Sequence, residues 1–222
     1  MSSWLKVQHK SYVQHKSYLQ NKSYVQNKLE QIPTFHVLIA TGGRNSLKKM
    51  LDSLKNELLE RDAITIIFDG EDALGKSSFN NNWITAHKCK INIIEQVQNL
   101  GFWGHGIRNK YQGLLDPKTT FIMNADDDDE YIQGSFNKLR KLCNDPTTLY
   151  IAKFIVKHTN VLVPCQNKKI IKNDIGTPCG IIPFDIANTS IWELKYGGDF
   201  EYYNNIKYNK ISFLDSIIYM VD

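Results

Sequence analysis

The sequence predicts an α/β protein with a mostly parallel central sheet and small antiparallel additions. Continuous apolar runs that close on glycine or aspartate recur between residues 35 and 125. Unbroken runs, unlike alternating ones, belong to strands covered on both faces, as in a parallel sheet. An amphipathic helical stretch separates the first two runs. After residue 150 the texture changes to short, closely spaced strand patterns, which fit antiparallel additions to the same domain.

The elements follow in order. FHVLIAT (35–41) is a buried strand ending at Gly42 and Gly43. Asn45 is placed to cap a helix in which Leu47, Met50, Leu51, Leu54 and Leu58 share one face. AITIIFD (63–69), closed by Gly70, is the second buried strand, INIIEQV (91–97) the third, and TTFIMNA (119–125) the fourth. Alternation of strand and helix implies right-handed crossovers and a ligand crevice at the carboxyl ends of the strands. YIAKFIV (150–156), NVLVP (160–164) and KKIIK (168–172) read as short strands, as do KISFL and SIIYMV near the end, and FEYYNNI reads as a helix.

Residues 1–32 stand apart as a low-complexity arm before a domain spanning 33–222. VQHKSY occurs twice, followed by LQNKSY and VQNK, a six-residue period that matches neither a helix nor a coiled coil. We read the arm as weakly ordered, with a self-associating strand as the alternative. The five lysines and one glutamate of residues 1–30 account for the whole formal charge of +4. The body is therefore neutral, which argues against a nucleic-acid partner needing a basic face.

No apolar run reaches the length of a transmembrane segment, and the first residues lack the apolar stretch of a secretory signal, so a cytoplasmic setting is expected. Four cysteines without a C-x-x-C pair speak against a zinc site or a disulfide framework. Lysine, asparagine and isoleucine together make up 68 of 222 residues, a bias that an A/T-rich genome would produce.

The run Asp126, Asp127, Asp128, Asp129 at the end of the fourth strand is the feature richest in chemistry. Adjacent carboxylates at a crevice mouth repel one another unless a cation is bound, and hard oxygen ligands select Mg²⁺ or Mn²⁺. Two phosphate-handling readings compete for it. GEDALGKS (70–77) matches the P-loop pattern G-x-x-x-x-G-K-[ST] and follows a strand. The phosphate cradle, however, needs a helix beginning at Lys76, where Ser77, Ser78, Phe79, Asn80, Asn81 and Asn82 are poor helix formers.

The other reading draws on residues 34–201. TGGRNSL (41–47), IIFDG (66–70), QNLGFWGHGIRNK (98–110), a D-x-D-D pattern at Asp126, Asp128 and Asp129, EYIQGSF, and GGDFEY (197–202) occur in an order and spacing that resemble the GT-A glycosyltransferases. The likeness is to family 2-like enzymes and the small chlorovirus or giant-virus capsid glycosyltransferase domains. It implies an inverting, metal-dependent enzyme that moves a sugar from a UDP-sugar to a hydroxyl of a glycan or glycoprotein, with Mn²⁺ or Mg²⁺ as cofactor. Together with the composition it suggests a viral protein acting in host cytoplasm.

By that resemblance, Thr41, Gly43 and Arg44 lie against the nucleotide, Asp69 accepts from the uracil ring, and Arg108 and Asn109 contact the donor and steady the acidic loop. Asp126 and Asp128 hold the metal, and Asp127 is the variable middle position beside the donor. Asp199 is implied as the catalytic base, with Gly198 standing where the family has an acid and Glu201 as second candidate. Trp103, Trp192 and Tyr196 are aromatic candidates for stacking on sugar faces. The remaining alternatives are a sugar-nucleotide pyrophosphorylase, whose G-x-G-[ST]-R turn is missing from TGGRNSLKK, and a non-catalytic carbohydrate-binding module.

Overall fold

The computed structural model describes residues 32–165 and 168–222. The chain divides into units Met1–Pro33 and Thr34–Asp222, and the description concerns the second. The arm expected over residues 1–32 lies outside the described residues except for Ile32.

Strands β1 (Phe35–Thr41), β2 (Ala63–Asp69), β3 (Lys90–Gln96) and β4 (Phe121–Asp126) are parallel and lie in the order β3-β2-β1-β4. Every residue of β1 is buried, as its unbroken apolar run requires. The sheet continues past β4 through β8 (Gly180–Pro183), β6 (Thr148–Val156), β9 (Lys210–Val221) and β5 (Glu130–Tyr131), with β7 (Val161–Val163) paired to β6. Strand β8 is antiparallel to both neighbours and is the seam between the halves; β9 then runs parallel to β6. Aromatic packing crosses the same seam, with Phe121 edge-on to Tyr150 at 5.8 Å.

Among the described residues five α-helices accompany the sheet: α1 (Leu47–Leu54), α2 (Ala73–Lys76), α3 (His105–Tyr111), α4 (Ser135–Leu142) and α5 (Gly198–Asn205). Helix α1 buries Leu47, Met50, Leu51 and Leu54 of the face read from its periodicity, whereas Leu58, read on the same face, is buried beyond the helix's end. Helix α4 takes its amino-terminal cap from elsewhere in the chain. The Glu57 carboxylate accepts the amides of Gly134 at 2.6 Å and Phe136 at 3.0 Å. Further along α4, Arg140 pairs with buried Asp62, which also accepts the amides of Phe35 at 2.9 Å and Leu59 at 2.7 Å. That carboxylate fastens the start of β1 to α4.

Four local expectations change. Strand β3, expected to be buried, is exposed or half-buried from Lys90 to Glu95 and buried only at Gln96, because it is the sheet's edge, open on one side. Asn45 does not cap α1; its side chain accepts from the Ser78 hydroxyl at 2.6 Å, and Ser46 is the boundary residue. Residues 168–172 form bends and a turn where a strand was expected. The two pieces KISFL and SIIYMV are one strand, β9, whose pairing to β6 passes an irregularity rather than a break. No helix among the described residues is long and apolar enough to cross a membrane.

Candidate functional site

A cleft of about 390 Å³ opens at the carboxyl ends of β1, β2 and β4, the place where a parallel sheet presents loop and strand-end groups together. Thr41, Arg44, Asp69, Trp103, Asp126 and Asp128 line it, together with Ala40, Gly42, Asn99, Gly101 and Gly104. Five of the residues expected at a nucleotide and metal site therefore share one wall.

The four aspartates separate by alternation at the strand end. Asp126 and Asp128 face the cleft and are partly exposed, whereas Asp127 and Asp129 turn inward and are buried. Each cleft carboxylate is met by an arginine. Arg108 donates to Asp126 at 2.5 Å and Arg44 to Asp128 at 2.5 Å. Arg44 also pairs with buried Asp127, to which the Thr41 hydroxyl donates, so Asp127 holds the loop from within and does not reach the cleft wall. Burial pushes the carboxyl groups of Asp127 and Asp129 upward, the latter to about 7, with the charge of Asp126 adding to the effect on Asp129.

Gly43 serves close packing. It holds φ at +87°, and a Cβ there would fall 2.1 Å from the Ala73 carbonyl oxygen at the start of α2. It is not part of the cleft wall. Asp69 lines the cleft, and its two carboxylate oxygens accept the amides of Leu100 at 2.7 Å and Gly101 at 2.9 Å. A carboxylate oxygen has two acceptor sites, so capacity for a ligand donor remains.

Arg108 is fully buried behind the cleft. It reaches Asp126, donates to the Trp103 carbonyl at 2.7 Å and lies 5.2 Å over the Trp192 ring. Asn109 points elsewhere. Its side chain and the Trp192 backbone exchange two hydrogen bonds at 2.7 Å, fixing the segment that leads to α5. Trp192 itself is core, fully buried and stacked on Tyr202 at 4.1 Å.

Asp199 stands in the first turn of α5, half-buried and off the cleft wall, accepting the Phe200 amide at 2.8 Å. Burial raises its pKa, opposed first by the hydrogen bond from the Phe200 amide. Glu201 is engaged by Lys195 at 3.5 Å. Sequence reasoning gave no weight to His105, yet this buried ring joins the two places. Its Nδ1 lies 2.8 Å from the Glu193 carbonyl, its ring is 6.4 Å from that of Trp103, and Gly198 must lack a Cβ to clear it. Asn99 and Gly101 were also missed as wall residues, although glycines bracketing Phe102 and Trp103 are the signal of an unusual turn.

The P-loop expectation fails on local geometry. Helix α2 starts at Ala73 and ends at Lys76, so no helix begins at the lysine, and Lys76 reaches back toward the Glu71 carbonyl. A phosphate cradle needs the helix to begin where this one stops.

Among the described residues no three His, Cys, Asp or Glu side chains converge on one point. Two cleft carboxylates nonetheless fit Mg²⁺ or Mn²⁺, which keep waters and take one or two carboxylates plus substrate phosphates. Asp126 and Asp128 would hold the ion, with Asp128 giving up exposed Arg44 and Asp126 keeping buried Arg108.

No family model matches the sequence, and no curated protein matches it. Solved structures do match. TarS of S. aureus superposes with a TM-score of 0.63 at 14% identity, over 84% of this chain and 36% of TarS. TarS 1–349 in complex with UDP-GlcNAc gives 0.57 at 15% identity, over 85% of this chain and 58% of that one. The chain thus spans less than two thirds of either TarS chain. The likeness is one of fold: a Rossmann-like GT-A fold with a mostly parallel sheet and antiparallel additions. Neither match is viral, so the likeness to virus-encoded domains rests on sequence motifs alone.

Proposed function

We propose that the protein is a glycosyltransferase that uses a UDP-sugar and passes the sugar to a hydroxyl of a glycan or glycoprotein, in the cytoplasmic setting expected from sequence. The observation that carries this reading is the convergence of Asp126, Asp128, Arg44 and Asp69 on one cleft at the carboxyl ends of β1, β2 and β4. A neighbour of the same fold was solved with UDP-GlcNAc, which supports a nucleotide-sugar as ligand.

Asp69 accepts the ring N–H of uracil, already oriented by the Leu100 and Gly101 amides. Arg44, more than half exposed, leaves Asp128 for a phosphate oxygen, for which its planar fork is suited. A divalent cation, Mn²⁺ or Mg²⁺, neutralises charge on the departing diphosphate when bound. Arg108 keeps Asp126 aimed at the cleft, because a buried guanidinium without that partner is costly. Asp199 takes the proton of the attacking hydroxyl; its raised pKa makes it a stronger base than an ordinary aspartate, and Glu201 is held by Lys195. Attack from the face opposite the leaving group inverts the anomeric centre.

Incubation with UDP-, GDP- and dTDP-sugars and Mn²⁺ tests the reading. The expected result is release of UDP from UDP-sugars faster than of the other nucleotides, abolished by chelation. Stabilisation by ATP without turnover of any sugar nucleotide would contradict it.

A further inference from the structure

Four consecutive residues, Gly101, Phe102, Trp103 and Gly104, adopt positive φ, at 60°, 53°, 53° and 79°. Glycine enters that region freely, but other residues do so only against steric strain between Cβ and the backbone. The turn is held from both sides. Asp69 accepts the Leu100 and Gly101 amides, Arg108 donates to the Trp103 carbonyl, and the His105 amide donates to the Phe102 carbonyl at 3.0 Å. The strain stands the Trp103 indole out on the cleft wall, 66% exposed. Tyr196, 84% exposed, meets it edge to face at 6.1 Å. One bare ring is an ordinary surface feature, but a strained, clamped ring beside a second bare ring marks a binding surface.

The pair stands between the two halves of the site. Trp103 belongs to the cleft wall with Asp126 and Asp128, while Tyr196 lies three residues before Asp199 at the head of α5. The imidazole of His105 touches both sides, near Trp103 and against Gly198. Lys195, the cation beside the corner, is taken by Glu193 and Glu201, so the corner offers no spare positive charge to draw an anionic acceptor. A pyranose ring has an apolar face of C–H groups that packs on an aromatic ring and a polar edge that keeps its hydroxyls available.

We propose that Trp103 and Tyr196 form the subsite for a neutral pyranose ring of the acceptor, presenting its hydroxyl toward Asp199. This rests on the transferase reading above, which the experiment keeps separable. Saturation-transfer NMR on the full chain with UDP and Mn²⁺ uses methyl β-D-glucopyranoside and N,N′-diacetylchitobiose as probes, with ribitol as the ringless control.

The pyranoses are expected to receive saturation mainly on ring C–H protons, with ribitol near background. Trp103→Ala and Tyr196→Ala should each weaken pyranose binding about tenfold, and Trp103→Phe should retain most of it. Tyr196 is so exposed that its loss does not threaten folding. Absence of pyranose signal, equal signal from ribitol, or unchanged signal in both alanine variants overturns the subsite. Thermal shift with UDP and Mn²⁺ on the same samples reports on the transferase reading independently. UDP binding without ring-dependent pyranose binding removes only the subsite; ring-dependent pyranose binding without UDP binding removes the transferase and leaves a carbohydrate site.

Discussion

The two ends of the parallel strands treat polar groups in opposite ways. At the amino end, Asp62 is buried and closed by two amides and Arg140, and His36, Thr65 and Asn92 form a bonded row across β1, β2 and β3. At the carboxyl end, Asp126 and Asp128 are partly exposed beside each other, the first held by buried Arg108 and the second by exposed Arg44, which a phosphate can recruit, and the neighbouring turn is strained. One set of strands therefore supplies a settled base and an edge whose charges are incomplete without a ligand. Changes at the first end should act on stability and changes at the second on ligand and rate.

Asp199→Asn gives the largest effect expected: transfer should fall by about 10²–10⁴-fold while UDP binding and the unfolding midpoint stay close to wild type. Turnover within about threefold of wild type would remove Asp199 from the base role. At the opposite end, Arg140→Ala leaves Asp62 buried without its cation and should destabilise by about 3–5 kcal/mol in urea unfolding. A loss below about 1 kcal/mol would show that the amino end is not the settled half.

His36 sharpens the contrast through pH. Burial holds its pKa down at about 4, against 6.5 when unfolded, so the folded ring stays neutral where the unfolded one is protonated. The stability it permits is intact above pH 6.5 and declines as pH falls toward 4, by on the order of 3 kcal/mol. His36→Gln should flatten that acid limb of the stability profile; an unchanged limb assigns it to other groups. Lys48→Ala, on the exposed face of α1, removes a surface pair with Asp52 and should change stability by less than about 0.5 kcal/mol.

The apolar strands were legible because burial on both faces forces unbroken runs, and β1 and β2 begin and end where the sequence placed them. The crevice was legible because β4 runs straight into carboxylates. What was hidden depends on partners distant in sequence. The inward turn of Asp127 is decided by Thr41 and Arg44, and the use of Asn109 is decided by Trp192. The edge position of β3 follows from strand order, which its isoleucines do not reveal. Two large aromatics at positive φ go against local preference, so only the clamps from Asp69 and Arg108 explain the Gly101–Gly104 turn.

The most direct measurement is anomalous scattering from a crystal soaked with MnCl₂ and UDP. The account predicts a manganese peak about 2.2 Å from a carboxylate oxygen of Asp128 or Asp126, shared with the diphosphate, with Arg44 released from Asp128. Manganese bound elsewhere, or UDP bound away from Asp69 with both arginine pairs intact, would contradict it.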